Sequence, residues 1–362
     1  MPELPEVETI SRDLRLKIVG HCIERAEVFW EREVSYPSVP EFLELISNRR
    51  IEGTDRRAKY VVIRLSENAT LLVHLKMTGQ LLYVPAGEPP NAYTRVLLHL
   101  DRGMQLRFVD VRKFGRMYLV EADRLQDFPK IAELGPEPLE AAFTPRAFQS
   151  LLKRRTGRIK PLLMNQGFLA GMGNIYVDEA LFRSGLHPLH SSAALKAKDT
   201  ARLHQAIIDV LEESIANRGS SIDDYRDPAG QKGYHHVHLR VYGRGGQPCL
   251  VCGTPIAKIV VGGRGTHFCP RCQREHKVRR KPGPRQHSAD ITVGDSRSRR
   301  RLQRSTSTQE RGGWRTISVL IVLWVAIILL GVSLVVFRSS RDKPPVTSRL
   351  YSRRGGNGPS TR

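Results

Sequence analysis

Met1-Pro2-Glu3-Leu4-Pro5-Glu6-Val7-Glu8-Thr9 opens the chain. The stretch has neither the basic start nor the apolar run of a secretory signal. It reads as a helix start: Pro5 suits a first helical turn, and Glu6 and Glu8 complement the positive end of the helix dipole. Val7, Ile10, Leu14 and Ile18 recur at helical spacing, so the helix lays an apolar stripe on a neighbouring element. Pro2 is open to two readings. Once Met1 is removed, Pro2 exposes a secondary amine that can attack a sugar or aldehyde carbon and form an electron-withdrawing iminium, with Glu3 beside it to handle a proton. With Met1 retained the nitrogen is an inert amide, and Pro2 and Glu3 belong only to the helix start.

Beyond the helix the apolar period shortens. From Cys22 to Glu121 the pattern predicts strands at Tyr60–Leu65, Thr70–Leu75, Gly79–Val84, Arg95–Leu100, Gln105–Val109 and Arg116–Val120. Turn signals such as Ser66-Glu67-Asn68 and Asp101-Arg102-Gly103 separate them. Many short strands at near-regular spacing point to an antiparallel sandwich or barrel. Pro129, Pro136, Pro138 and Pro145 mark a linker over 129–145. The period then becomes helical, with a long amphipathic helix over Ala193–Ile215. A second helix opens at Asn174, just after Gly167, Gly171 and Gly173. Residues 218–234 read as a long polar loop, of a length that is either functional or disordered.

Cys249-x2-Cys252 is followed sixteen residues later by Cys269-x2-Cys272. This is the spacing of a four-thiolate zinc site, structural because it leaves no open coordination position. Two disulfides are the alternative. Cys22 stands apart and reads as a small buried hydrophobe. Between the pairs, Pro255–Val261 and Thr266–Cys269 flank Gly262-Gly263-Arg264-Gly265. That predicts a hairpin with Arg264 near its tip, either solvated or aimed by the zinc.

The chain has 362 residues, 40% hydrophobic and 26% charged, which excludes a collagen-like, wholly disordered or polytopic membrane protein. Five cysteines in that length exclude a disulfide scaffold. The net charge of +22 points to a polyanionic partner, nucleic acid first and anionic lipid second. Much of it is concentrated near the end: residues 277–316 carry +9 and residues 338–362 carry +6, leaving +7 for the rest. Residues 277–316 read as a disordered basic arm. Ile317–Phe337 is 21 residues without a charge, long enough as a helix to span a bilayer core of about 30 Å. A buried core helix is the alternative.

Several further motifs stand in order: Arg56-Arg57-Ala58-Lys59-Tyr60, His74-Leu75-Lys76-Met77-Thr78-Gly79, Asp110-Val111-Arg112-Lys113-Phe114-Gly115, Leu134-Gly135-Pro136-Glu137-Pro138-Leu139, Ile159-Lys160-Pro161-Leu162-Leu163, Gly171-Met172-Gly173-Asn174-Ile175-Tyr176 and Val241-Tyr242-Gly243-Arg244. With the opening nonapeptide and the cysteine pairs, they make residues 1–275 resemble the formamidopyrimidine-DNA glycosylases. The opening and the Met77 motif look closer to these than to the related endonuclease VIII enzymes, which carry Gly where Leu4 stands.

The resemblance implies an α+β multidomain enzyme. Its parts are an N-terminal catalytic β-sandwich with its helix (1–128), the linker (129–145), a helix–two-turn–helix DNA-binding domain (146–243) and a four-cysteine zinc finger (244–276). The basic arm (277–316), a transmembrane helix (317–337) and a basic tail (338–362) would follow. The activity implied is that of a bifunctional DNA glycosylase and AP lyase of base excision repair, removing 8-oxoguanine and formamidopyrimidines. Damaged duplex DNA is its partner and one structural Zn2+ its metal, in a monomer. Pro2 resembles the Schiff-base nucleophile and Glu3 its acid. Lys59 matches a lysine that contacts DNA and assists β-elimination, and Arg264 the finger arginine assigned to δ-elimination. Met77, Arg112 and Phe114 match the side chains that fill the vacated stack, as an apolar wedge and a guanidinium can. Arg154, Lys160, Asn174 and Tyr242 match or neighbour phosphate contacts. Tyr93 stands where the family often has histidine and would reach a phosphate through its hydroxyl.

Two alternatives remain: a preference for oxidised pyrimidines, as in endonuclease VIII, and a catalytically silent DNA-binding protein tethered to a membrane. The catalytic part is expected in the cytoplasm, where thiols stay reduced.

Overall fold

The computed structural model describes residues 1–220 and 226–275. The arm 277–316, the apolar segment 317–337, the tail 338–362 and the loop residues Ser221 and Ile222 lie outside the described residues. Among the described residues no helix is long and apolar enough to cross a membrane.

Helix α1 (Leu4–Ile18) begins where the opening sequence predicts, with Pro5 in its first turn. The Glu3 N–H, left without an intrahelical acceptor, donates to Glu6 Oε2 at 2.7 Å. Strand β1 (Cys22–Val28), a 3-10 turn at Glu31–Glu33, β2 (Val34–Tyr36), α2 (Val39–Ile46) and β3 (Arg49–Arg57) follow. Next come β4 (Tyr60–Leu65), β5 (Ala69–His74), β6 (Gln80–Pro85), β7 (Thr94–Leu100), β8 (Met104–Val109) and β9 (Arg116–Glu121). Hydrogen bonds join them into one nine-stranded ribbon in the order β2-β9-β5-β4-β3-β1-β7-β8-β6. The expected sandwich is thus a single sheet folded over, and β2 lies parallel to β9 rather than antiparallel. The fold line is the short β1/β3 pairing of Cys22 with Arg50 and Ile23 with Arg49. Val61, Ile63, Leu71 and Val73 on one side face Val96, Leu98, Leu106 and Phe108 on the other in one core.

Helix α1 lays Val7, Ile10, Leu14 and Ile18 into that core. Each such burial contributes roughly 1.5–3 kcal/mol. Polar bonds fix its register on β3: Thr54 Oγ1 donates to the Ser11 carbonyl at 2.7 Å, and Ser11 Oγ to the Asp55 carbonyl at 2.9 Å.

The stretch read as a linker contains a helical turn, α3 (Pro129–Ala132), and is tied down by one carboxylate. Glu137, 2% exposed, accepts from the Ala58 N–H at 2.6 Å, from Arg57 at 3.0 Å and from Arg56. Helices α4 (Pro145–Lys153), α5 (Ile159–Leu163), α6 (Asn174–Arg183) and α7 (Ala197–Ala216) then build a second core around Phe148, Tyr176, Leu203 and Ile207. Leu4 belongs to this second core although the rest of α1 belongs to the first. Strands β10 (Ala257–Val261) and β11 (Arg264–Phe268) form the hairpin between the cysteine pairs.

Glu137 joins the two lobes through buried charge. Glu137→Ala removes the shared acceptor of Arg56, Arg57 and the Ala58 N–H, leaving Arg56 to Glu8 and Arg57 to the Gly135 carbonyl, and should cost about 3 kcal/mol. Urea unfolding measures this; an unchanged midpoint would refute the assigned role.

Candidate functional site

The start of the chain is folded inward. Met1 is partly exposed, while Pro2 and Glu3 are buried. The Leu4 N–H donates to the Gly171 carbonyl at 3.1 Å, which threads the opening residues against the turn before α6. Glu3 Oε1 accepts the Ile175 N–H at 3.1 Å, in the first turn of α6, where the helix dipole favours an anion. A Cβ on Gly173 would lie 2.4 Å from that carboxyl, so only glycine lets the Glu3 side chain approach the backbone here this closely. Glu3 Oε2 has no hydrogen-bond partner among the described residues. Burial pushes the Glu3 carboxyl above the usual range, against the pull of Lys59 and the helix N–H groups.

Glu6 lies behind Glu3. Tyr176 Oη donates to Glu6 Oε1, and the Ser220 N–H reaches the same oxygen at 2.8 Å. Burial, and then the charge of Glu3, push its pKa up to about 7. Lys59 is 5% exposed, and burial lowers its pKa against the opposing pull of Glu3 and Glu6. Two carboxyls held toward their acid form and one amine held toward its base form thus share a site. Such opposed shifts are what proton-transfer chemistry requires.

Three residues on two turns form an exposed edge. Arg112 and Phe114 follow β8, with the guanidinium 4.8 Å over the ring. Met77 is half-buried in the turn between β5 and β6. Asp110 carries both turns. Its carboxylate accepts the N–H of Arg112 at 3.1 Å and of Phe114 and Gly115 at 2.8 Å, together with the Thr78 hydroxyl. Tyr93 is half exposed, its ring 5.9 Å from the Arg95 guanidinium.

Cys249, Cys252, Cys269 and Cys272 place their sulfurs within 4.8 Å of one another, and no disulfide joins them. Cys249–Cys272 is 3.9 Å and Cys252–Cys269 is 3.4 Å. A zinc–sulfur bond of about 2.3 Å requires edges of about 3.8 Å in a tetrahedron, so the donor set fits one structural zinc. The hairpin they hold is seated on α5 and α6. Lys160 Nζ and Asn174 Nδ2 both donate to the Gly265 carbonyl, at 3.2 and 3.0 Å, and the His267 N–H donates to Asp178 at 2.9 Å. Arg264 begins β11, exposed, and its charge is felt by Lys59.

The structure therefore brings Pro2, Glu3, Lys59 and the Arg264 hairpin to one seam between the lobes. Arg154 is exposed at the end of α4. Tyr242 sits near the hairpin, its ring edge-on to His267 at 5.3 Å. Lys160 differs from a surface phosphate contact: it is fully buried, with its ammonium 2.6 Å from Asp178. Its place in a sequence motif does not reveal that partner, which lies eighteen residues ahead. Asp110, Glu137, Tyr176 and Asp178 also lie within or beside the quoted motifs, and only three-dimensional contact shows what they hold.

These elements define a zinc-finger protein with a helix–two-turn–helix domain. Residues 1–117 match the formamidopyrimidine-DNA glycosylase N-terminal domain, 134–226 its H2TH domain, and 246–274 the zinc finger found in FPG and IleRS. A formamidopyrimidine-DNA glycosylase of Pelotomaculum thermopropionicum is 47% identical over 274 residues, covering 76% of this chain and 99% of the relative. One from Herpetosiphon aurantiacus is likewise 47% identical, covering 75% of this chain and 100% of the relative. Among solved structures, a Lactococcus lactis FPG mutant in complex with a Fapy-dG containing DNA superposes with a TM-score of 0.72 at 36% identity, covering 76% of this chain and 100% of that one. The Lactococcus lactis Fpg in complex with an abasic site containing DNA has the same TM-score and identity. The chain belongs to the formamidopyrimidine-DNA glycosylase family.

Because the zinc holds the hairpin that carries Arg264, Cys252→Ser or removal of the metal should abolish DNA binding without creating a metal-dependent activity. Zinc should be stoichiometric in the purified protein. Binding that survives complete loss of metal would contradict this.

Proposed function

We propose that the chain is a bifunctional DNA glycosylase and AP lyase of base excision repair, acting on 8-oxoguanine and formamidopyrimidines. The observation that carries the reading is the buried Glu3 carboxyl, held beside Pro2 on the first turn of α6 with Lys59 close enough to shift it. Removal of Met1 turns the Pro2 nitrogen into a free secondary amine. That amine forms a bond to C1′ of the damaged nucleotide as the glycosidic bond breaks, and the electron pair of that bond leaves with the base. The proton of the amine is taken up by the departing base; the nitrogen lone pair then opens the C1′–O4′ bond to leave an iminium, and Glu3, whose burial favours its acid form, protonates the departing O4′. The iminium between Pro2 and C1′ then acidifies the C2′ proton, and its loss expels the 3′ phosphate. Lys59 assists this elimination. Arg264, at the hairpin, grips the phosphate beside the lesion and assists the δ-elimination that opens the other side.

DNA lies along the seam, with the damaged nucleotide turned out of the stack, because C1′ is out of reach inside a duplex. Met77, Arg112 and Phe114 enter the space it leaves. Tyr93, Arg154, Asn174 and Tyr242 line the phosphate path, and Lys160 contributes by seating the hairpin. The aromatic and guanidinium pair on one Asp110-held turn supports this: the ring replaces a stacking partner, and the guanidinium bonds the unpaired base.

An 8-oxoguanine duplex should be converted to free base and a one-nucleotide gap. Glu3→Gln should slow base release by about 10²–10⁴-fold, the usual contribution of a placed proton donor. Base release at the wild-type rate would remove Glu3 from the mechanism, and intact DNA on every oxidised-purine duplex would remove the function.

The apolar run Ile317–Phe337, 21 residues without a charge, supports a second element: one membrane span tethering the repair domains through the basic arm. The arm itself would favour anionic lipid by about 1 kcal/mol per basic residue near the surface. The full-length chain should pellet with membranes and resist alkaline carbonate. Recovery wholly in the soluble fraction would overturn the tether.

A further inference from the structure

Beneath the turn that carries Arg112 and Phe114 lies a carboxyl that no part of the proposed chemistry uses. Glu33, at the end of the 3-10 turn Glu31–Glu33, is 0% exposed, and neither of its oxygens has a hydrogen-bond partner among the described residues. The nearest cation is Arg116, with Nη1 3.8 Å from Oε2, beyond hydrogen-bond reach. A Cβ on Gly115 would come within 3.1 Å of the same oxygen and within 2.3 Å of the Phe108 ring. The underside of the turn therefore rests on Glu33 and Phe108 with no space between. Trp30, three residues earlier, has its indole Nε1 buried without a partner, and the Lys113 ammonium sits 3.9 Å over its ring. The segment 30–33 thus supports both ends of the turn, under Lys113 and under Gly115.

The charges around Glu33 come from three directions. Asp110 and Lys113 belong to the turn itself, Arg116 begins β9, and Arg95 on β7 donates to the Asp110 carbonyl at 2.7 Å. Glu31 and Arg32 of the same 3-10 turn are exposed. Asp110 already spends its carboxylate on three backbone N–H groups and the Thr78 hydroxyl. A second negative charge at the base of the turn would oppose Asp110. It would also draw Arg116 inward and pull Lys113 off the Trp30 ring.

We propose that Glu33 is a positioning residue for the stack-filling turn, holding Arg112 and Phe114 in place for DNA while it carries a proton and releasing them when it ionises. This rests on the reading that those two side chains enter the vacated stack. Burial, and then the charge of Asp110, push the Glu33 pKa up to about 7, so both forms are populated near neutrality. A carboxyl raised in this way is neutral below that value and charged above it. Its support is therefore present on the acid side and lost as pH rises through about 7.

The test uses the full chain and two duplexes, one undamaged and one with a single tetrahydrofuran abasic analogue. The ratio of their affinities is measured from about pH 6 to about pH 8.5. In the wild type the preference for the abasic duplex should fall about fivefold across this range, less than the tenfold per pH unit that one ionisation allows. Glu33→Gln, neutral throughout, should hold the acid-side preference at every pH. Glu33→Met, of similar length and without a charge, should do the same and serves if the amide variant folds poorly. A merely structural role would lower stability without flattening the pH profile of the ratio. Neutral variants that follow the wild-type profile would overturn the assignment of Glu33 and leave the proposed function intact. A wild type with no preference for the abasic duplex at any pH would overturn the stack-filling reading, and this proposal with it.

Discussion

Two carboxyls buried at the seam between the lobes govern the rest of the molecule. Glu3 and Glu6 lie one helical turn apart at the start of α1, and among the described residues neither pairs with an arginine. Their hydrogen-bond donors are instead backbone N–H groups and the Tyr176 hydroxyl. Placing two acids in such a site disfavours their ionisation, and each raises the cost of ionising the other. The fold accepts this because α1 cannot lie elsewhere. Leu4 is packed in the helical core and Val7, Ile10, Leu14 and Ile18 in the sheet core, so the opening residues must cross the seam. The Pro2 nitrogen, proposed above as the nucleophile, is thereby held between the two cores rather than on a loose terminus.

Helix α6 connects that seam to the zinc finger. Its first turn receives Glu3, and Tyr176 reaches Glu6. Asp178 pairs with Lys160 and accepts the His267 N–H, while Glu179 accepts the N–H groups of Arg240, Val241 and Tyr242 at 2.8–2.9 Å. Four buried residues of this ten-residue helix, Ile175, Tyr176, Asp178 and Glu179, thus carry all of these bonds. Replacing the Lys160–Asp178 pair by one unpaired charge would be costly in so dry a place. It would also loosen the hairpin, which loses either the Lys160 bond to the Gly265 carbonyl or the Asp178 bond to the His267 N–H.

What was legible in the sequence was whatever a local rule governs. The cysteine spacing implies the zinc site, since ligand geometry limits the spacing. The six strands named from the short apolar period lie within a residue of β4 to β9, most of them buried along nearly their whole length. The long helix begins at Ala197 rather than Ala193, with a 3-10 turn at Ser192–Ala194 taking up the difference. Strand β3 went unnamed because Arg49-Arg50-Ile51-Glu52-Gly53-Thr54-Asp55-Arg56-Arg57 is dense with charge. Its arginines face carboxylates such as Glu137 and Glu8, which belong to distant parts of the chain. Helix α2 is short and was lost among the strands. At the site, the motif residues were visible but their supports were not. Asp110, Glu137 and Glu33 act across the fold, and no periodicity or spacing records a contact of that kind.

The central claim is that the opening residues, folded into the seam, carry the reactive nitrogen. Borohydride reduction of the protein on an 8-oxoguanine duplex, followed by nuclease and protease digestion and mass spectrometry, locates the covalent sugar remnant directly. The account predicts the remnant on a peptide that begins at Pro2, with Met1 absent. A remnant on Lys59 or any other lysine, with the Pro2 nitrogen unmodified, would contradict it.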